Sequence, residues 1–118
     1  MSLDLHDLAN EQFCYLTTTG QVTGRPHEIE IWFGLDGETL YMLSGGGDRS
    51  DWVKNLRQNP EVKIRIAGQP FEGHARVIGD TEEDELARRL LVEKYESNPG
   101  NLSNWRRRAL SIAVDLPA

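Results

Sequence analysis

The amino-acid sequence predicts a mainly β domain, an antiparallel barrel or sandwich with helices at its edges. Short runs in which apolar and polar residues alternate at period 2 are separated by turns that contain glycine or proline. Most of these runs follow one another directly, whereas a parallel sheet needs a long helical crossover between its strands. The length of 118 residues suits one hydrophobic core, so we expect one domain over residues 1–118.

The first half of the chain predicts three strands after a weak helical pattern at residues 3–12. The predicted strands cover residues 13–19, 27–35 and 38–44. In the second of them Ile29 and Ile31 alternate with charged neighbours, which predicts a single strand with one face toward the core. Asp36-Gly37 is the strongest hairpin signal and joins the second strand to the third.

The second half predicts two helices and three strands. A short helix at residues 50–57 is capped by Ser50 or Asp48 and stopped by Asn59-Pro60. A turn at Gly68-Gln69-Pro70 separates two alternating strands. The remaining expectations are a helix from Asp80 to about residue 96, with the acidic first turn that a helix dipole favours, a loop at 98–101 and a last strand at 110–114.

Composition and charge exclude several classes of function. The net charge of −6 argues against a nucleic-acid-binding protein, and we expect the run Arg106–Arg108 to be a solvated face or a contact for an acidic ligand. Cys14 is the only cysteine, so the chain forms no internal disulfide, and its apolar surroundings predict a buried, inert thiol. No segment approaches the ~20 apolar residues of a membrane span, and no secretory signal is recognisable, so a cytoplasmic location is expected.

The segment from Ser44 to Trp52 is the most informative candidate for a site. A strand ends there, three glycines follow, and then Arg49 and Ser50 lead into the short helix. Glycines let backbone N–H groups converge on a ligand, a helix N-terminus carries partial positive charge, and Arg49 can bind a phosphate or carboxylate. A flexible loop whose serine only caps a helix explains the same residues, and Asp48 and Asp51 lower the positive potential. Both interpretations stay open on these residues alone.

The other polar residues give no catalytic set. Glu28 and Glu30 share a strand face, which solvated alternation explains better than an acid–base pair. The three histidines show no metal-ligand spacing, so we expect no metal site. No nucleophile–base pair is visible, and the catalytic residues stay unknown. If the protein is an enzyme, a bound cofactor must therefore supply the chemistry.

Several motifs in fixed order resemble a known family. These are TTTGQVTGRPHEIEIWF at residues 17–33, DGETLYMLSGGGDRSDWVKNLRQNPEVKIRI at residues 36–66, and the ending ALSIAVDLP. The combination of TTTG, the glycine-rich loop, W-x-x-N-L and N-P-x-V resembles the deazaflavin (coenzyme F420)-dependent nitroreductase family. That family belongs to the FMN-binding split-barrel group that includes the pyridoxamine-phosphate oxidases.

The resemblance implies a split β-barrel of six or seven mostly antiparallel strands that holds a deazaflavin or flavin in a groove. It implies that the phosphate end of the cofactor meets the glycine-rich loop and the start of the following helix. The implied cofactor contacts are Ser44, Gly45, Gly46, Gly47, Arg49 and Ser50 in that segment, Trp52 and Asn55 in the helix, and Ile29, Ile31 and Trp32 along the ring. Arg25, Lys54 and Arg57 are candidates for contacts with the acidic tail of a deazaflavin.

The implied activity is that of an F420-dependent oxidoreductase that transfers a hydride to a small organic acceptor, such as a quinone or a nitro compound. Two alternatives remain: an FMN-binding oxidoreductase on the same fold, and a non-catalytic module that binds a cofactor or another small molecule. The resemblance leaves room for a homodimer, because split barrels commonly bury a sheet face and the cofactor groove between subunits.

Overall fold

The structure is a computed structural model that describes residues 8, 11–20, 22–44, 49–79, 81–94 and 110–116. Seven strands and two helices have described bounds. The strands are β1 (Cys14–Thr19), β2 (Pro26–Ile31), β3 (Gly34–Asp36), β4 (Thr39–Ser44), β5 (Glu61–Ile66), β6 (Gln69–Val77) and β7 (Leu110–Asp115). The helices are α1 (Asp51–Gln58) and α2 (Glu82–Lys94).

The strands form one curled sheet in the order β2-β1-β5-β6-β7-β4-β3, and every pair in it is antiparallel. The two edge strands β2 and β3 are consecutive in the chain, since only Trp32 and Phe33 separate them. A connection of two residues between opposite edges requires the sheet to curl until those edges approach each other. The predicted mainly β, antiparallel architecture with flanking helices is therefore confirmed.

The prediction of a single strand over residues 27–35 is wrong, because two strands occupy that segment. β2 pairs with β1, whereas β3 pairs with β4 at the other edge of the sheet. Phe33 is completely buried at the crossing. A Cβ atom at Gly34 would lie 3.3 Å from Leu90 and 3.4 Å from Leu91, so α2 packs closely against the chain directly after the crossing.

The turns differ in detail from their sequence signals. The hairpin predicted from Asp36-Gly37 is present, but Asp36 pairs with Thr39, so the loop residues are Gly37 (φ 62°) and Glu38. The turn predicted at residues 68–70 lies instead at Ala67 (φ 50°) and Gly68 (φ 80°). The reason is register: Gln69 and Pro70 already pair with β5.

Two apolar clusters lie on opposite sides of the sheet. The larger one fills the barrel with buried side chains from five strands, from α1 and from the segments between them, among them Leu16, Phe33 and Ile64. The smaller one lies between the sheet and α2 and includes Tyr41 and Leu91. The buried thiol expected at Cys14 is confirmed, since its side chain is 0% exposed and burial raises its pKa to about 12.

Some predictions fall outside the described residues. These are the end of the second helix at residues 95–96, the loop at 98–101, the arginine run at 106–108 and most of the helix at 3–12. Of that last segment, Leu8 is helical and buried, whereas the described Glu11 and Gln12 are not helical.

In the part of the chain that the structure describes, no helix is both long and apolar enough to cross a membrane.

Candidate functional site

Helix α1 lies against one end of the barrel, where it contacts β1 and β6. Val53 and Leu56 point into the barrel core and are almost completely buried. Beside them, the side-chain amide of Asn55 donates a hydrogen bond of 3.1 Å to the hydroxyl of Thr18 in β1. Asn55 is 6% and Thr18 is 2% exposed, so this bond joins helix and sheet away from water. A buried polar bond of this kind fixes the separation of the two elements.

A groove of about 450 Å³ opens between α1 and the turn that joins β1 to β2. Its volume falls within the range of small-molecule sites. The lining residues are Gly20, Val22, Thr23, His27, Glu28, Ile29, Asp51, Trp52 and Asn55.

At the groove, a glycine directly after β1 continues the inward row of that strand. Side chains alternate along a strand, so Leu16 and Thr18 face the barrel interior and position 20 continues their row. On β2, the residue that pairs with Thr18 is His27. A Cβ atom at Gly20 would lie 2.6 Å from the His27 Nε2 atom, so the imidazole occupies the space that a side chain at position 20 would fill.

The β1–β2 turn is closed by its own backbone. The Gly20 N–H donates to the Arg25 carbonyl oxygen at 2.8 Å, and the Gly24 N–H donates to the Gly20 carbonyl oxygen at 2.9 Å. Gly24 has a φ of 72°, a conformation that favours glycine. The Arg25 N–H donates to the Thr23 hydroxyl at 3.3 Å. These bonds hold Thr23 at the groove and leave Arg25 exposed on the turn, beside the lining.

The hydroxyls of Ser44 and Ser50 are hydrogen-bonded to each other at 2.9 Å. Ser50 is the N-cap residue of α1, one of the two predicted, but its side chain makes no capping bond, and Asp48 lies outside the described residues. The Ser50 backbone carbonyl accepts the N–H groups of Val53 and Lys54. The serine pair therefore ties the end of β4 to the start of α1, next to the exposed Arg49. The predicted contacts Gly45, Gly46 and Gly47 lie outside the described residues.

The three residues predicted along the cofactor ring do not stay together. Ile29 lines the groove. Ile31 is half-buried and packs against the barrel core. Trp32 packs against the cluster under α2, on the other side of the sheet. Alternation along the chain accounts for the separation, since Ile29 and Ile31 share the inward face and Trp32, the next residue, lies on the other side of the sheet.

Charges of both signs surround the groove. Asp51 and Glu28 are the acidic residues of the lining, and the Glu28 carboxylate forms an ion pair of 3.3 Å with Arg65 of β5. Arg49 lies outside this lining, two residues before Asp51, and Ser50 separates it from the first residue of α1. The described lining residues themselves include no lysine or arginine.

Sequence reasoning missed several lining residues, namely Val22, Thr23, His27, Glu28 and Asp51. Alternation along β2 could have identified His27, because it lies two residues before Ile29 and therefore on the same inward face as Ile29 and Ile31. Apolar walls from Ile29 and Trp52, with polar groups from Thr23, His27 and Asn55, suit a flat, partly polar ligand.

A second cavity of about 310 Å³ lies between the end of α1 and β6 and includes Arg57 and Arg76. Arg76 is already bound there by Glu83 and Asp115.

Comparison with known proteins gives matches over most of the chain. The family model described as F420H(2)-dependent quinone reductase matches residues 5–117. An F420H(2)-dependent quinone reductase of Mycobacterium tuberculosis (strain ATCC 25618 / H37Rv) is 32% identical over 96 residues, which are 79% of this chain and 63% of that protein. The same values hold for the relative from strain CDC 1551 / Oshkosh. The chain thus spans less than two thirds of the length of these relatives.

Solved structures with the same fold cover nearly the whole chain. An F420-H2 dependent reductase (FDR-A) has a TM-score of 0.72 at 24% identity and covers 88% of this chain and 94% of its own. A candidate pyridoxamine 5'-phosphate oxidase from Listeria innocua has a TM-score of 0.71 at 21% identity, over 97% of this chain and 90% of its own. At these identities the likeness shows the fold alone, and that fold is the predicted split β-barrel.

Proposed function

The chain belongs to the F420H(2)-dependent quinone reductase family, and on that premise we propose that it binds coenzyme F420 between α1 and the β1–β2 turn and reduces a small organic acceptor. A quinone or a nitro compound is the acceptor class that we propose. The observation that carries the proposal is the groove itself, because two motifs of the resemblance meet there. The TTTG motif supplies Gly20, and the W-x-x-N-L motif supplies Trp52 and Asn55.

The residues around the groove fit the chemistry of a deazaflavin. The ring is flat and largely apolar, and Ile29 and Trp52 offer apolar surface in the lining. The other end of the cofactor carries a phosphate and an acidic tail. Arg49 and the N-terminus of α1 are suited to the phosphate, while Arg25 and Lys54 are exposed nearby for the tail.

When bound in its reduced form, the cofactor supplies the hydride that reduces the acceptor. The chain's own residues orient it and exclude water. Asn55 and Thr18 hold α1 against β1, so the width of the groove is set before the ligand arrives. The Ser44–Ser50 hydroxyl pair holds the start of α1 and therefore Arg49 in place for the anionic end.

The first test is a calorimetric titration of the purified protein with oxidised F420 and, separately, with FMN. We expect saturable binding of F420, about tenfold weaker in Arg49→Ala, because that change removes one charge-assisted contact. The matched control is Arg89→Ala, which removes an exposed arginine from α2 and should leave the affinity unchanged. Preferential binding of FMN would assign the chain to the flavin-dependent branch, and binding of neither would refute the proposal.

The second test follows oxidation of F420H2 in the presence of a soluble quinone and, separately, of a nitro compound. We expect turnover with the quinone, because the sequence match is to quinone reductases. Tight binding of the cofactor without reduction of any acceptor would favour a non-catalytic binding module instead.

We further propose that two copies associate at the mouth of the groove. Val22 is 90% exposed there, next to the half-buried Ile29 and Trp52, and an apolar lining of this kind is commonly completed by a second subunit. Light scattering coupled to gel filtration should give twice the chain mass of 13.4 kDa, and the single chain mass would contradict the proposal. The cytoplasmic location stays a prediction of the sequence.

A further inference from the structure

One carboxylate in the lining of the groove is not neutralised by a described side chain. The acidic residues of the lining are Glu28 and Asp51. Arg65 of β5 binds the Glu28 carboxylate at 3.3 Å, whereas the Asp51 carboxylate has no ion-pair partner in the part of the chain that the structure describes. The groove therefore presents the negative charge of Asp51 to the molecule that it binds.

Asp51 lies near the opening of the groove, on the same helix face as Asn55. The two residues are four positions apart in α1, and residues at that spacing are neighbours on a helix surface. Asn55 is 6% exposed and is bonded to Thr18, whereas Asp51 is exposed. A ligand that extends from the buried part of the groove toward solvent therefore passes the Asp51 carboxylate.

The opposite wall of the groove carries the hydroxyl group of Thr23, which belongs to the β1–β2 turn. This hydroxyl accepts the Arg25 N–H at 3.3 Å, and the backbone bonds of the turn hold it in place. A hydroxyl group that accepts one hydrogen bond can still donate its own hydrogen to a ligand. The two walls thus offer an acceptor and a donor, and a hydroxyl group of a ligand, which donates and accepts, matches both.

We propose that Asp51 is a specificity-determining residue of the groove: its carboxylate accepts hydrogen bonds from the ribityl hydroxyl groups of a deazaflavin and repels the phosphate. The inference rests on the proposed function. An ionised carboxylate accepts hydrogen bonds and donates none. A phosphate carries charge of the same sign, so its position beside Asp51 is unfavourable. The uncharged ring and ribityl chain therefore lie in the groove, and the phosphate lies outside its lining.

Calorimetric titration with three ligands tests the inference. These are F420, FO, which has the same ring and ribityl chain but no phosphate and no acidic tail, and an analogue of FO with a methyl group in place of the ribityl chain. Asp51→Ala should weaken the binding of FO about tenfold, because a hydrogen bond to a charged group is lost, and should leave the methyl analogue unchanged. Asp51→Asn keeps an acceptor oxygen, and Thr23→Val removes only a neutral donor, so both should weaken FO less than Asp51→Ala.

The repulsion is measured by the ratio of the affinities for F420 and FO. Asp51→Ala and Asp51→Asn should both raise this ratio about threefold at low salt, and the increase should shrink as salt screens the charges. Glu82→Ala is the matched control, because Glu82 is the exposed acidic residue that begins α2, as Asp51 begins α1. It also removes a carboxylate from a helix N-terminus, but it should leave all three affinities unchanged.

The outcomes separate the inference from the proposed function. An unchanged affinity for FO in Asp51→Ala, or an equal loss for FO and the methyl analogue, would refute the role of Asp51 and leave the proposed function intact. Binding of F420 without measurable binding of FO would also refute it, since the lining would then not hold the ring and the ribityl chain. Failure of the wild type to bind F420 or FO would refute both. Circular dichroism checks that each variant is folded.

Discussion

The two helices pack on the same barrel but are held in different ways. At the start of α2, Glu83 accepts hydrogen bonds from Arg76 and from the Tyr41 hydroxyl, and Arg76 also binds Asp115. Asp84 accepts from Arg88 and from Ser111. At the end of α2, the Lys94 ammonium donates to the Phe33 carbonyl oxygen at 3.0 Å and lies 3.6 Å from the centre of the Phe33 ring.

Helix α1 has a different set of contacts. Its buried polar bond to the sheet joins Asn55 to Thr18, and its N-terminus is tied by the Ser44–Ser50 pair. On one side it packs into the core through Val53 and Leu56, and on the other it leaves the groove open. The comparison indicates that the helices differ in role: α2 covers the outer face of the sheet, whereas α1 forms one wall of the groove. Substitutions in α2 should therefore change stability, and substitutions at α1 should change stability and binding together.

The largest expected effect comes from a matched pair of leucines. Leu91 in α2 and Leu56 in α1 are 0% and 2% exposed. Substitution of either by alanine should lower the free energy of unfolding by about 2–5 kcal/mol, because each leaves a cavity in a packed cluster. Chemical denaturation measures this loss. Calorimetry with F420 should then show weaker binding in Leu56→Ala and unchanged binding in Leu91→Ala at a temperature where both are folded. Equal effects on affinity would contradict the division between the helices.

The next effect is expected at the buried bond between α1 and β1. Thr18→Val keeps the shape of the side chain but removes the acceptor of the Asn55 amide, which should cost about 1–3 kcal/mol of stability and weaken F420 binding. Thr17→Val is the control, since Thr17 lies on the opposite face of the same strand and is half-buried. Chemical denaturation measures the stability of both variants, and calorimetric titration measures their affinity for F420. An affinity for F420 that Thr18→Val leaves unchanged would show that this bond does not set the groove.

The smallest effect is expected at the ion pairs of α2. Arg76 lowers the pKa of Glu83 and of Asp115, chiefly through its hydrogen bonds to them. A carboxyl group whose folded-state pKa is lowered stabilises the fold above its unfolded pKa of about 4, and this contribution is lost as the pH falls further. Glu83→Gln should cost about 1 kcal/mol at pH 7, since the pair is partly exposed to solvent.

The pH dependence of unfolding tests the same point. The stability of Glu83→Gln should fall less steeply than that of the wild type between about pH 5 and pH 3. The affinity for F420 should not change. If the stabilities of the wild type and of Glu83→Gln fell equally with pH, Arg76 would not lower the pKa of Glu83 in solution.

Local pattern explains which parts of the fold could be predicted. Alternation identified the strands, and the register of β1 and β2 follows from the inward row that contains Leu16 and Ile29. The alternation continues without interruption from Glu28 to Phe33, however, so the pattern could not show that the chain crosses from one edge of the sheet to the other. That crossing depends on pairing with β1 and β4, which are distant in the sequence.

Only one part of the candidate site could be predicted from the sequence, because only that part lies within a single segment of the chain. Ser44, Arg49, Ser50, Trp52 and Asn55 lie within one segment and share a visible motif. The groove also needs Gly20 and His27, which belong to a different strand pair and meet α1 only in the folded barrel. The sequence alone could not show that the His27 imidazole lies close to Gly20, because that contact forms only when β1 pairs with β2.

The most direct test of the binding groove is hydrogen–deuterium exchange of the protein with and without saturating F420. We expect the cofactor to slow exchange in residues 18–29 and 49–55, which form the two walls of the groove, and to leave residues 82–94 of α2 unchanged. Protection confined to α2, or binding of F420 that protects neither wall, would contradict the assignment of the cofactor to this groove.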